Sequence, residues 1–277
     1  MFLSVLIRNL NQAKEMELCL KALRFQIVSF PYEIVVVDNE SNDNSVAIAK
    51  QYCCKIITLA RSEFSYGKAL NIGIENCSGE FVLSLSSHVS LLSQNFLERI
   101  PSLFSDERIA GLKFVPVTNN DIIRNSFLKG ETIINSQFVN DSLLKVWANG
   151  IINNCSAIRK SVWQQIPFNE KLFYSEDKVW SFEVIKAGYE LKINIPLFYQ
   201  YNKAMSRQQL INKRANEEAA YRLFTKQAYK DYPPHFSWRF VYMLKEIRNA
   251  YVRMKTGWQV QRLAKQIVIK EKEKFQF

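Results

Sequence analysis

The sequence contains no apolar run of the roughly 18–20 residues that a membrane span needs. Its apolar opening, MFLSVLI, is short and carries neither a basic leader nor a small-residue cleavage site, so a buried strand is expected there rather than a signal peptide. The five cysteines (Cys19, Cys53, Cys54, Cys77 and Cys155) form no C-x-x-C pair and no metal-ligand spacing. An odd count without a secretory signal points to reduced thiols and a cytoplasmic location. Internal repeats and low-complexity segments are also absent, which excludes repeat arrays and compositional linkers.

Of the 277 residues, 48% are hydrophobic and 13% aromatic, enough to bury a sizeable core and to exclude wholesale disorder. The net charge of +11 calls for an anionic partner: nucleic acid, anionic lipid or a phosphorylated substrate. Residues 239–277 hold ten Lys/Arg against three Glu, so seven of the eleven excess charges lie there. The chain therefore divides into a mildly basic body, 1–225, and a basic extension, 226–277. In the extension, Trp238, Met243, Ile247, Tyr251 and Trp258 interleave with the basic residues. Two readings fit: an amphipathic helix on anionic lipid, or a helical cap with a solvated basic face. No nucleic-acid recognition motif is present, so no nucleic-acid partner is expected.

The body alternates apolar strands (residues 2–7, 33–37, 55–59 and 81–85) with helical patterns (13–25, 44–52 and 68–76), with Asp43 or Asn44 as a candidate N-cap. That alternation predicts an α/β fold: a mostly parallel, doubly wound sheet flanked by helices. Ligands in such sheets bind beyond the carboxyl ends of the strands. Those ends carry Arg8-Asn9, Asp38-Asn39 and Ser86-Ser87-His88. Further strands are expected at 109–115 and 153–158, and a helix at 176–187 stopped by Gly188. Residues 119–147, weakly periodic, read as an acceptor-side excursion. Beyond 203 the pattern is helical to the end, broken at Pro233-Pro234.

Seven segments in order resemble the family 2 glycosyltransferases of the GT-A fold. They are 4–11 (SVLIRNLN), 35–43 (VVVDNESND), 67–73 (GKALNIG), 78–83 (SGEFVL), 157–160 (AIRK), 168–170 (FNE) and 176–180 (EDKVW). Each is weak alone; together they extend the resemblance over about residues 3–220. The version FSYGKALN at 64–71 looks most like bacterial members that build surface polysaccharides. The resemblance implies an inverting enzyme that moves a sugar from a UDP- or dTDP-sugar to a hydroxyl of a saccharide or lipid-linked acceptor. It implies that Asp38 accepts the imino N–H of uracil or thymine and that Asn9 and Asn11 lie around the base. Asn71 and Lys68 fall on the nucleotide-facing helix, Lys68 within reach of phosphate. Each has a plainer reading: a turn aspartate, turn asparagines, a solvated lysine.

Most of the family carries D-x-D where this chain has Ser86-Ser87-His88. The last carboxylate of that motif holds Mg²⁺ or Mn²⁺ against the diphosphate. His88 is the candidate ligand left, and a neutral imidazole suits softer metals. A second departure is Gln200-Tyr201-Asn202, where relatives often have His-x-His. A weakly held ion is therefore expected, with metal-independent action as the alternative, in which Arg207, Lys213 and Arg214 compensate the charge.

An inverting transferase needs one base to deprotonate the attacking hydroxyl. The resemblance assigns this to Asp177, with Glu176 orienting it or binding acceptor. The plain alternative is two carboxylates favouring a helix N-terminus. Loss of D-x-D keeps open a catalytically silent nucleotide-sugar binder, and the tail keeps open a basic adaptor.

Overall fold

The computed structural model describes residues 3–118, 120–141, 143–172 and 174–225. In chain order the first half gives β1 (Leu3–Asn9), α1 (Ala13–Arg24), β2 (Tyr32–Asp38), α2 (Ser45–Gln51), β3 (Lys55–Thr58), α3 (Tyr66–Glu75) and β4 (Phe81–Ser86). Next come β5 (Val89–Leu91), α4 (Phe96–Leu103), β6 (Ile109–Pro116), α5 (Asn120–Lys129), β7 (Thr132–Ile134), α6 (Ser136–Asp141) and α7 (Leu143–Asn149). The chain continues through β8 (Cys155–Arg159), α8 (Lys160–Gln165), α9 (Glu176–Lys186), β9 (Glu190–Tyr201) and α10 (Arg207–Thr225). The expected helix beyond residue 225, its break at Pro233-Pro234 and the extension 226–277 lie outside the described residues.

One sheet runs β3-β2-β1-β4-β8-β6-β9-β5, with β7 also on β9. Its first four strands are parallel, as β-α-β alternation requires. The other half is mixed: β8 runs against both β4 and β6, while β6 and β9 are parallel. β8 turns over because the chain enters it from the same edge at which β4 ends, with Leu85 opposite Cys155.

Side chains alternate across β1. Leu3, Val5 and Ile7 join Met16, Leu20 and Leu23 of α1 and Phe96 and Ile100 of α4 on one face. Leu6 joins Leu70 and Ile74 of α3 and Trp180 and Val184 of α9 on the other. The sheet thus has a core layer on each face. All five cysteines are free thiols.

β9 is the long element that the sequence reading passes over. Its buried residues Leu191, Ile193, Ile195, Leu197 and Tyr199 alternate strictly with less buried ones. Pro196 obscures this pattern, and the ladder accommodates it between Ile195 and Phe198, where the register with β6 slips. The 119–147 segment resolves into α5, β7, α6 and α7, with β7 hydrogen-bonded to β9.

Candidate active site

A cavity of about 650 Å³ opens at the carboxyl edge of the parallel strands, between the ends of β1 and β4 and the start of α9. Asn9, Ser86, His88, Glu176 and Asp177 line it, as do Arg8, Gln12 and Asn153.

The carboxylate pair begins α9. Ser175, just before it, has φ +62°, a left-handed conformation that is costly for serine. It sets both carboxylates at the cavity. Glu176 is 5% exposed and accepts from Asn153 Nδ2 at 3.2 Å, with Arg8 Nη1 at 3.8 Å. Burial pushes its carboxyl up to about 7, helped by the Asp177 charge and opposed by Arg8. Asp177 is more open. Its Oδ2 accepts the Asn153 N–H at 3.1 Å and its Oδ1 the Lys178 N–H at 2.8 Å. Asn153 thus holds both carboxylates, while its carbonyl accepts from Arg8 Nη2 at 2.9 Å. Lys178 Nζ donates to the carbonyls of Gly150 and Ile151, which fixes the segment leading into Asn153.

The end of β2 is different. Asp38 is 2% exposed and accepts from Asn9 Nδ2 at 2.8 Å, Ser41 Oγ at 2.6 Å and Ser41 N–H at 2.8 Å. It does not line the cavity, whereas its neighbours Val37 and Asn39 do. The turn role therefore accounts for three of its acceptor positions, and one lone pair remains on Oδ2. Asn11 (φ +52°) also serves the turn: its N–H donates to Ser41 Oγ and its Oδ1 accepts the Asn42 N–H.

Two expected donor residues are placed elsewhere. Asn71 Nδ2 donates to Phe168 O and Glu170 Oε1, and its Oδ1 accepts from Trp163 Nε1 and the Phe168 N–H. All four of its hydrogen-bonding positions are used to tie α3 to the 168–170 loop, so it does not face the cavity. The packing there is close: a Cβ on Gly67 would lie 2.5 Å from the Asn169 carbonyl oxygen. Lys68 lies outside the cavity lining and pairs with Glu63 at 3.4 Å. The side chains of Arg207 and Arg214, on α10, lie outside the described residues.

At the position where the resemblance puts D-x-D, Ser86 Oγ donates to Asn154 Oδ1 at 3.0 Å, and His88 Nδ1 lies 3.0 Å from Gln12 Oε1. Ser87 is fully buried and its N–H donates to Arg8 O. The His88 carbonyl accepts the Asn202 N–H, and its ring sits 5.9 Å from that of Tyr201, so the two departures from the family pattern are neighbours. Burial, then the charges of Lys203 and Arg8, against Glu15, push the imidazole down to about 4. It is neutral, and Gln12 Oε1 makes Nδ1 the protonated nitrogen. Hydroxyl, amide and imidazole do not fit a hard Mg²⁺ or Mn²⁺ ion, which favours carboxylates. Among the described residues no group of three His, Cys, Asp or Glu could hold a metal.

Three buried polar atoms have no hydrogen-bond partner among the described residues: Arg8 Nε, Asn9 Oδ1 and Ser87 Oγ. All three belong to the adjacent ends of β1 and β4. Sequence reasoning marked Arg8 as part of a strand-end cluster but gave it no role. Asn153 and Asn154 were missed because two asparagines before a strand carry no distinctive spacing. Tyr66 stands inside the FSYGKALN segment and Tyr201 between the substituted metal positions, so both had a signal.

Residues 4–166 match the profile of glycosyl transferase family 2. The O-antigen chain rhamnosyltransferase WbaN of Salmonella anatum is 29% identical over 170 residues, 58% of this chain and 53% of its own. Glycosyltransferase AglE of Haloferax volcanii is 29% identical over 202 residues, 69% of this chain and 63% of its own. The chain thus spans between half and two thirds of the length of the curated relatives it matches. Among solved structures, residues 1–349 of S. aureus TarS superpose with TM-score 0.58 at 20% identity, covering 80% of this chain and 66% of that one. The mannosyltransferase PcManGT from Pyrobaculum calidifontis, solved with GDP-Man and Mn²⁺, superposes with TM-score 0.61 at 16% identity, covering 84% and 66%. Over more than half its length the sequence fits one family profile, and its sheet and flanking helices fit the same architecture: the chain belongs to the family 2 glycosyltransferases and has the GT-A fold.

Proposed function

We propose that this chain is an inverting transferase that moves a sugar from a UDP- or dTDP-sugar to a hydroxyl of a saccharide or lipid-linked acceptor, in surface polysaccharide synthesis. The observation that carries the reading is the cavity itself. It joins the nucleotide-side ends of β1 and β2 to a carboxylate pair on α9. The names of the relatives support it: WbaN acts on an O-antigen chain, and TarS has been solved with UDP and with UDP-GlcNAc.

In this reading the base lies at Asn9 and Asn39, backed by the Asp38 turn. The acceptor oxygen attacks the anomeric carbon while Asp177 takes its proton. The carbon–oxygen bond to the diphosphate breaks, and its electron pair leaves on the diphosphate. Asp177 suits the role because each of its oxygens accepts one backbone N–H, which fixes the carboxylate and leaves a lone pair on each. Glu176, buried and tied to Asn153 and Arg8, orients the acceptor side. Among the described residues no helix is long and apolar enough to cross a membrane. We place the chain in the cytoplasm, its basic extension 226–277 against the anionic inner face of the plasma membrane, where a lipid-linked acceptor would lie.

The test is a panel of UDP-, dTDP- and GDP-sugars, read by release of the nucleoside diphosphate with and without saccharide acceptors. Release from a UDP- or dTDP-sugar is expected, faster with acceptor. No binding and no release across the panel would refute the reading.

A further inference from the structure

The leaving diphosphate gains charge as the sugar departs, and something positive must meet it. The hydroxyl and imidazole at the D-x-D position cannot hold a hard cation firmly. Four cationic side chains line the same cavity instead: Arg8 from β1, Lys178 on α9, Lys203 after β9 and Lys213 from α10. Lys178 Nζ is committed to the carbonyls of Gly150 and Ile151.

Of the other three, Arg8 is the most buried, with a side chain 13% exposed. It stands between the carboxylate pair and His88. On one side its Nη1 is 3.8 Å from Glu176 Oε1; on the other its charge reaches His88 and disfavours the protonated ring. Its guanidinium lies 5.6 Å from the centre of the Tyr66 ring, which caps it. A guanidinium has five N–H donors. Among the described residues it makes one hydrogen bond, to Asn153 O, and Nε is buried without a partner. A dedicated counter-ion of Glu176 would sit in a forked pair at about 2.7–2.9 Å. The observed 3.8 Å is too long for that. The fold therefore keeps a buried guanidinium under-satisfied at the cavity, and an anion with several oxygens would complete its hydrogen bonding.

Resting on the function proposed above, we propose that Arg8, assisted by Lys203 and Lys213, holds the donor diphosphate and receives the charge of the leaving group in place of a protein-held divalent cation. When the bond from the anomeric carbon breaks, its electron pair settles on a diphosphate oxygen facing Arg8. The acceptor proton goes to Asp177, so no proton is needed from Arg8. His88, neutral, leaves that space free of a competing anion.

The test is calorimetry on the full chain with UDP, dTDP and GDP, and with the matching nucleosides, in chelator and in Mn²⁺. At least one diphosphate is expected to bind in chelator, within about threefold of its affinity in Mn²⁺. Arg8→Gln should weaken that binding by about tenfold or more, with nucleoside affinity changed less than about twofold. Arg8→Lys should fall between, since it keeps the charge and loses the fork. The inference is overturned if diphosphate binds only with Mn²⁺, or if Arg8→Gln binds it as the wild type does. It is equally overturned if Arg8→Gln loses nucleoside and diphosphate in equal proportion, the mark of a merely structural role. Failure of every nucleotide to bind in either condition would instead remove the proposed function itself.

Discussion

Two corners of the cavity edge treat their polar groups in opposite ways. At the ends of β1 and β2, Asp38, Asn11 and Ser41 spend their hydrogen bonds on one another and on neighbouring backbone. At the seam between β1, the β4–β5 turn and α9, Glu176 is buried with a raised pKa, His88 is held neutral, and Arg8 and Ser87 keep donors without a partner among the described residues. The closed corner is built for shape. The open seam displaces the pKa values of its groups from those they have in water, and such displacements cluster at sites of chemistry. Asn9 bridges the two, its Nδ2 donating in the corner and its Oδ1 without a partner among the described residues.

Substitutions should separate these roles. The largest effect is expected at the seam. Asp177→Asn should lower kcat by about 10²–10⁴-fold with donor affinity nearly intact, because the base acts only on the acceptor proton in the transition state. Wild-type turnover in that variant would remove the assignment. Asp38→Ala should act through shape, costing about 2–4 kcal/mol because buried donors of Asn9 and Ser41 lose their acceptor. Its melting temperature should fall and donor binding should weaken with it; an unchanged melting curve would mean that the corner is not closed as described. Asn71→Ala is smaller, about 1–3 kcal/mol, and should leave donor affinity unchanged. A specific loss of nucleotide binding there would return Asn71 to the donor site.

The pH dependence of stability probes the seam without any ligand. The folded-state pKa of Glu176 lies above its ordinary 4.5, so the folded chain binds this proton more readily than the unfolded one. That stability is present below pH 4.5 and is lost as the pH rises through about 7. Glu176→Gln should therefore gain on the wild type across that window in thermal denaturation. A constant gap between the two curves would contradict the buried, raised carboxyl.

Much of this was legible in the sequence, and the reasons are specific. The parallel half obeys short rules: apolar strands, amphipathic helices and polar residues at the strand ends, so Asn9, Ser86 and His88 could be placed at one edge. The mixed half obeys longer-range ones. β8 runs antiparallel because of where the chain enters, and β9 is hidden by Pro196 and by pairing with three strands. The motif segments located Asn71 and Lys68 but not the direction of their side chains. A pattern shared with relatives reports packing against the 168–170 loop as readily as contact with a nucleotide. Asn153 organises both carboxylates through a backbone N–H and a buried amide, and neither leaves a periodic trace in sequence.

The central claim is a single displacement driven by one base at the seam, and the configuration at the transferred anomeric carbon tests it most directly. Proton NMR of the first-formed product, from a donor of known configuration with a saccharide or water as acceptor, should show inversion at that carbon. A product that keeps the donor's configuration would contradict the account, because retention would need a second displacement that Asp177 acting as a base does not provide.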